Sequence, residues 1–321
     1  MQITFLEAIK QAQAEEMRRD PRVIVLGEDV EADLFGTTSG IAAEFGPERL
    51  RNTPISEAAI TGVAAGAAMV GLRPIVDFTI APFMYPAMDQ IVSIISKSRY
   101  LYGGQASVPL VLRANMLYRN SAAAQHSDRP YSLFMHIPGL KIIVPSNPYD
   151  MKGLLKSAIR DEDPVLCFED GNLWTSRADV PDGELLIPLG RAAVKRDGSD
   201  VSIVAIGGMV PIALQAADDL ERERISVEVI DPRSLAPLDL ETIFASVHKT
   251  GRLVVVDVSH QTCSAASEIA AAVASEAFWD LCGPIVRVTT PMTHIPFSPP
   301  LEKDLYPNKD KVIAAVRKTL A

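Results

Sequence analysis

The chain has 321 residues, enough for two domains at ~150 residues each, and too many for a disulfide-stapled mini-protein. Hydrophobic residues make up 48% and charged residues 22%, a balance that excludes extensive disorder. Lys and Arg number 31 against 40 Asp and Glu, and a net charge of −9 excludes a general attraction for nucleic-acid phosphate or an anionic membrane surface.

Residues 3–19 carry Phe5, Ile9 and Met17 among Glu, Gln and Lys, and are predicted to form an amphipathic helix. A run of short apolar strands follows: RVIVLGED (22–29), RPIVDF (73–78), VPLVLRA (108–114), KIIVPS (141–146) and PVLCFED (164–170). Each is nearly continuous in apolar residues, the pattern of parallel strands covered on both faces. Helical segments alternate with them at 56–71, around 84–101 and at 147–163. The segment 176–190 is turn-rich and is read as a linker. Beyond it, strands at 200–208, 226–232, 252–259 and 284–291 alternate with helices near 211–223, 239–248, 263–278 and 307–320. The predicted fold class is α/β, with parallel sheets carrying helices on both faces. The expected domains are 1–180 and a smaller one at 190–321.

Cys167, Cys263 and Cys282 are far apart and form no metal-ligand spacing, which predicts reduced thiols in the cytoplasm. The N-terminus shows no secretory signal, and no apolar run reaches the ~18–20 residues that span a bilayer. There is no GxGxxG after a strand, no GxxxxGK[ST], no HExxH and no GxSxG. Chemistry therefore rests on dispersed residues. Glu57 opens the Ala/Gly-rich helix EAAITGVAAGAAM, with Ser56 as its expected N-cap. An acid in a first turn ordinarily serves the helix dipole. Here the helix lacks a polar face, is expected to be buried all round, and its acid then needs a partner or ligand. Phe78, Phe83 and Tyr85 follow a buried strand; Phe78 is read as core, while another ring could stack on a planar ligand. His126 lies in the small-residue loop NSAAAQHSDRP, after a strand end where such sheets bind ligands. His136 is read as a turn residue, His294 as a loop residue, and His248 and His260 as inert.

Several strings, in order, resemble the β subunit of the thiamine-diphosphate-dependent decarboxylase component of 2-oxo acid dehydrogenase complexes. They are GEDV (27–30), FGPERLRNTPISEAAITGVAAGAAMVGLRPIVDF (45–78), MDQIV (88–92), QHS (125–127), HIPGLKIIVPSNPYDMKGLLKSAIRDEDPV (136–165) and FSPPLE (297–302). The resemblance implies a pyrimidine-binding domain followed by a transketolase C-terminal-type domain. It implies an α2β2 enzyme whose α subunit holds Mg²⁺ and the cofactor diphosphate on a GDG motif absent from this chain. It implies that Glu57 bonds the cofactor's aminopyrimidine N1′, favouring the tautomer that deprotonates the thiazolium. Phe83 would stack on that ring, and His126 would handle a proton or orient the acyl group during transfer to lipoamide on a partner acyltransferase. Backbone carbonyls of Leu110, Ala158, Asp161 and Asp163 match a potassium site of some members. The chain departs from the family in HSD followed by Arg129-Pro130, where HSQ is usual, and in a glycine-poor segment 115–124. Its QTCSAASEIAAAVASEAF and AAAQHS strings look more like the acetoin-cleaving branch than the pyruvate or branched-chain branches. The alternatives are a carboligase half-subunit working without a lipoyl partner, and a non-catalytic scaffold.

Overall fold

The computed structural model describes all 321 residues. In chain order the elements are β1 (Gln2–Thr4), α1 (Phe5–Arg19), β2 (Val23–Gly27), α2 (Ile41–Phe45), β3 (Leu50–Asn52), α3 (Glu57–Met69), β4 (Arg73–Ile80), α4 (Ser98–Leu101), β5 (Val111–Met116), α5 (Ala123–His126), α6 (Tyr131–Met135), β6 (Lys141–Ile143), α7 (Pro148–Arg160), β7 (Val165–Asp170) and β8 (Arg177–Asp179). There follow β9 (Ala193–Arg196), β10 (Val201–Ala205), α8 (Met209–Arg222), β11 (Val227–Asp231), β12 (Ser234–Ala236), α9 (Leu240–Thr250), β13 (Leu253–His260), α10 (Ala265–Glu276), β14 (Val286–Thr290), α11 (Pro299–Glu302) and α12 (Lys309–Leu320). The chain forms two compact units: Met1–Leu117 with Leu133–Leu189, and Tyr118–Ser132 with Gly190–Ala321.

In the first unit six parallel strands lie in the order β6-β7-β5-β4-β2-β3. Strands β2, β5 and β7 are buried along their whole length, as their apolar sequences predict. Helix α1 starts where Thr4 and Glu7 form a reciprocal capping box and ends with Arg18 and Arg19 facing its negative pole. Helix α7 starts on Asn147, whose side chain accepts from the Asp150 N–H, with Pro148 in the first turn. The two helices pack on the sheet, where Glu16 is fully buried and receives Arg160 at 2.6 Å. Val180, Leu185 and Ile187, from the turn-rich stretch after β7, join this core. Just before them β8 pairs antiparallel with β1, a pairing too short to give a periodic signal.

The second unit is a five-stranded sheet in the order β14-β13-β10-β11-β9. Its four predicted strands are parallel neighbours, and β9 adds an antiparallel edge that the sequence analysis missed. Helices α8, α9, α10 and α12 follow the predicted positions to within a few residues.

Two local expectations change. The stretch predicted as one helix near 84–101 starts as a 3₁₀ helix (Ala81–Ala87), passes through a π-helical turn (Gln90–Ile95) and ends in α4. Pro86 supplies no N–H, so regular α bonding cannot run through the first turns. Helix α3 is not buried all round. It buries Ile60, Thr61, Ala64, Ala65 and Ala68, but leaves a stripe of Ala59, Val63, Gly66 and Val70 in the open. Ser56 stands at its N-cap position without a side-chain capping bond.

Candidate active site

The neighbouring strands β2 and β4 place Gly27 beside Asp77 near their C-terminal ends. A Cβ on Gly27 would lie 2.5 Å from the Asp77 carbonyl oxygen, so only glycine allows this approach. After Asp77 the pairing of β4 with β5 slips. Within that slip Thr79 takes a φ of 64°, an unfavourable setting for a β-branched residue. The Asp77 carboxylate holds it, accepting from the Thr79 N–H at 2.8 Å. Backbone strain of this kind gathers at functional sites.

Together these features form a small cleft lined by Glu28, Glu57, Ile60, Asp77, Thr79 and Phe83, among others. Its enclosed space is about 10 Å³, room for one water or the edge of a ring. Glu57 enters from the first turn of α3 and Phe83 from the 3₁₀ helix after β4. The two residues predicted to meet the aminopyrimidine thus line one cleft. Phe78 also touches it, but is buried, consistent with its core reading.

The acids around this cleft are not equivalent. Asp77 is neutralised from below by Arg113, whose Nη1 lies 3.0 Å away. Arg113 is 1% exposed and also holds buried Glu169 at 2.6 Å and the Gln13 side-chain oxygen, Oε1, at 3.2 Å. Burial alone would lower the Arg113 pKa, yet Glu169 and Asp77 push it above the usual arginine range. Burial drives the Glu169 pKa up, against the opposing pull of Arg113. Glu28, just past β2, has its pKa raised by burial first, and then by the charges of Asp29 and Glu57. The sequence analysis assigned no role to Glu28 or Asp77. The GEDV string and the acid within a buried strand were the signals available.

His126 ends the single helical turn α5 and is exposed. Its segment, 118–132, belongs to the second compact unit, where Arg129 and Tyr131 are buried. Arg129 Nε donates to the Val258 carbonyl at 3.1 Å, and the Tyr131 hydroxyl bonds Asp257. His136 is exposed before β6, and His294 is exposed as well. His260 Nδ1 contacts the Pro291 carbonyl at 2.8 Å, and His248, read as inert, faces Asp280 at 3.0 Å on the surface.

The four carbonyls matched to potassium lie in the first unit. That of Leu110 accepts from Val165 N, that of Ala158 from Asp161 N, and that of Asp161 from Arg73 Nη1. The Asp161 carboxylate accepts from Lys141 at 2.7 Å, and Asp163 pairs with Arg99. No group of three or more His, Cys, Asp or Glu side chains is placed to hold a metal. No helix is long and apolar enough to cross a membrane.

Residues 1–174 match the transketolase pyrimidine-binding domain, and residues 190–312 match the transketolase C-terminal domain. The acetoin:2,6-dichlorophenolindophenol oxidoreductase β subunit of Cupriavidus necator is 48% identical over 98% of this chain and 96% of its own. The chain belongs to the β-subunit family of the 2-oxo acid and acetoin dehydrogenases. The 2-oxoisovalerate dehydrogenase β subunit of Bacillus subtilis is 43% identical over 98% of both chains. A split-gene transketolase solved as an inactive β4 tetramer superposes with a TM-score of 0.82 at 28% identity, over 99% of this chain and 98% of that one. Membership in this family implies a thiamine diphosphate cofactor and an α-subunit partner. A carboxylate and an aromatic ring lining one cleft fit the chemistry of the pyrimidine end of that cofactor.

Proposed function

We propose that this chain is the β subunit of an α2β2 enzyme that cleaves the carbon–carbon bond beside a carbonyl. Its substrate is acetoin or a 2-oxo acid, and the acyl group passes to lipoamide on a partner acyltransferase. The observation that carries this reading is the convergence of Glu57 and Phe83 on one cleft at the C-terminal ends of β2 and β4. When bound, thiamine diphosphate supplies the carbon nucleophile and the electron sink. Glu57 holds the pyrimidine ring nitrogen and so governs the proton on the exocyclic amine. Phe83 fixes the plane of that ring. Asp77, paired with Arg113, holds Thr79 at the cleft wall. His126 delivers or accepts the proton during acyl transfer.

Mg²⁺ and the diphosphate belong to the α subunit. Two features of this chain support such a partner. Val63 is 66% exposed and Val70 is 83% exposed, on the same stripe of α3. A Cβ at Gly66 would meet nothing within 4 Å, so this chain's own packing does not demand glycine there. A stripe of small and apolar residues suits close approach by a second chain. Three of the potassium carbonyls already accept one hydrogen bond. Each keeps a second lone pair for a hard cation. Three free cysteines, two of them exposed, fit a reducing cytoplasm.

The acetoin-like strings make acetoin the first substrate to try. The test is co-expression with the α subunit and reduction of an artificial acceptor with thiamine diphosphate and Mg²⁺. Acetoin, pyruvate and branched 2-oxo acids are compared. Turnover of one of them is expected. Cofactor binding with silence on all three, and acyloin formation without a lipoyl partner, would instead select a carboligase.

A further inference from the structure

We infer that Glu302 is a positioning residue that locks the His126 segment into its working shape. The inference rests on the assignment of His126 made above.

Glu302 closes the short helix α11, 181 residues after Ser121, and is only 3% exposed. A buried carboxylate needs partners. Two of those of Glu302 are backbone groups of one segment. Oε1 accepts from the Arg119 N–H at 2.8 Å and Oε2 from the Ser121 N–H at 2.9 Å. The Tyr306 hydroxyl donates to Oε1 at 3.0 Å. All of these residues belong to the second unit.

The segment needs such a clamp. Arg119, Ser121 and Ala123 take φ values of 64°, 52° and 59°. Three non-glycine residues at alternate positions in the left-handed region are costly, and the local chain would relax if free. The carboxylate binds the amides of the first two. His126 follows Ala123 by three residues, at the end of the helical turn that this strained stretch feeds. The clamp is braced on its other side. Two guanidiniums lie over the Tyr306 ring, Arg119 at 5.8 Å and Arg129 at 5.4 Å, and its centroid is 5.2 Å from that of Tyr118. Arg119 also donates to the Pro307 carbonyl. Both flanks of the His126 turn are therefore tied to one buried cluster. Charge-assisted bonds to amides are among the stronger hydrogen bonds, and a neutral amide side chain in the same place accepts from only one of the two N–H groups, because its own N–H₂ donates and would face the other.

The test is Glu302→Gln, read by hydrogen exchange in the full chain and by kinetics in the α-reconstituted enzyme. Amides across 119–126 should exchange ~10-fold or more faster. The kcat of lipoamide-dependent turnover should fall ~10- to 100-fold, with substrate KM and thiamine diphosphate affinity unchanged. Because Glu302 acts through His126, the Glu302→Gln/His126→Ala double variant should be no slower than His126→Ala alone. Unchanged exchange would overturn the inference, and so would losses that multiply in the double variant. If His126→Ala is fully active while exchange still rises, the clamp stands and the assigned role of His126 falls. Should Glu302→Gln fail to fold, Tyr306→Phe removes one bond to the carboxylate and keeps the ring under both arginines. It should raise exchange in the same segment by ~2- to 5-fold, and no change there would also overturn the inference.

Discussion

Replacing Arg113 by methionine removes the one cation between Asp77 and Glu169. Methionine fills much of the same space, so the penalty is mainly electrostatic. Glu169 is 2% exposed and would remain as a buried carboxylate with no counter-charge. Breaking a buried pair from one side costs about 3–5 kcal/mol. For a unit of this size that lowers the melting transition by about 10 °C. The penalty has a pH signature. Burial already raises the Glu169 pKa in the folded state, and Arg113 restrains that rise. Without Arg113 the folded-state pKa climbs further above its unfolded value. A carboxyl raised in this way favours folding while protonated, and that advantage is lost as pH rises through the folded pKa. The variant's deficit should therefore be full near pH 8 and shrink toward pH 5. Thermal unfolding of both proteins at the two pH values checks this. A drop of under 2 °C, or a deficit equal at both pH values, would refute the reasoning.

Gly139→Ala should destabilise the first unit by about 2 kcal/mol or more, because the new Cβ would sit 2.2 Å from the Ser96 carbonyl oxygen at a φ of +91°. Chemical denaturation measures it, and a loss within 0.5 kcal/mol would count against the packing described. His126→Ala should cut acyl transfer to lipoamide by ~10²- to 10⁴-fold while reduction of an artificial acceptor falls much less. Equal losses in both assays would remove the proposed division of labour. Replacing KCl by choline chloride should lower the melting temperature if potassium sits on the carbonyls of Leu110, Ala158, Asp161 and Asp163, and an unchanged transition would discard that site.

The inner strands of both units were legible because each is a short apolar run buried on two faces, such as VIVLG and VSIVA. The pairing of β1 with β8 was not, since it rests on three residues at each end of a long stretch of chain. Helix α3 misled for a physical reason. Its composition records apolar surface, but not whether this chain or another covers it, and Val63 and Val70 are left exposed. At the cleft, Glu57 stood out because an acid beginning an apolar helix is an anomaly. Arg113 and Asp77 looked like ordinary strand residues, and only the side-by-side registry of β4 and β5 brings them together. Glu302 was hidden more deeply. It ends the FSPPLE string, but two of its partners are backbone N–H groups far away in sequence, which that string does not encode. In the glycine-poor segment 115–124, Arg119, Ser121 and Ala123 take positive φ values without being glycine.

We propose that Glu57 activates a thiamine diphosphate bound in this cleft. The most direct test is Glu57→Gln in the α-reconstituted enzyme, with cofactor affinity and turnover measured on the same preparation. Turnover should fall ~10²- to 10⁴-fold, with the tetramer intact and the cofactor still bound. Turnover within about threefold of the unaltered enzyme, beside unchanged cofactor affinity, would contradict it.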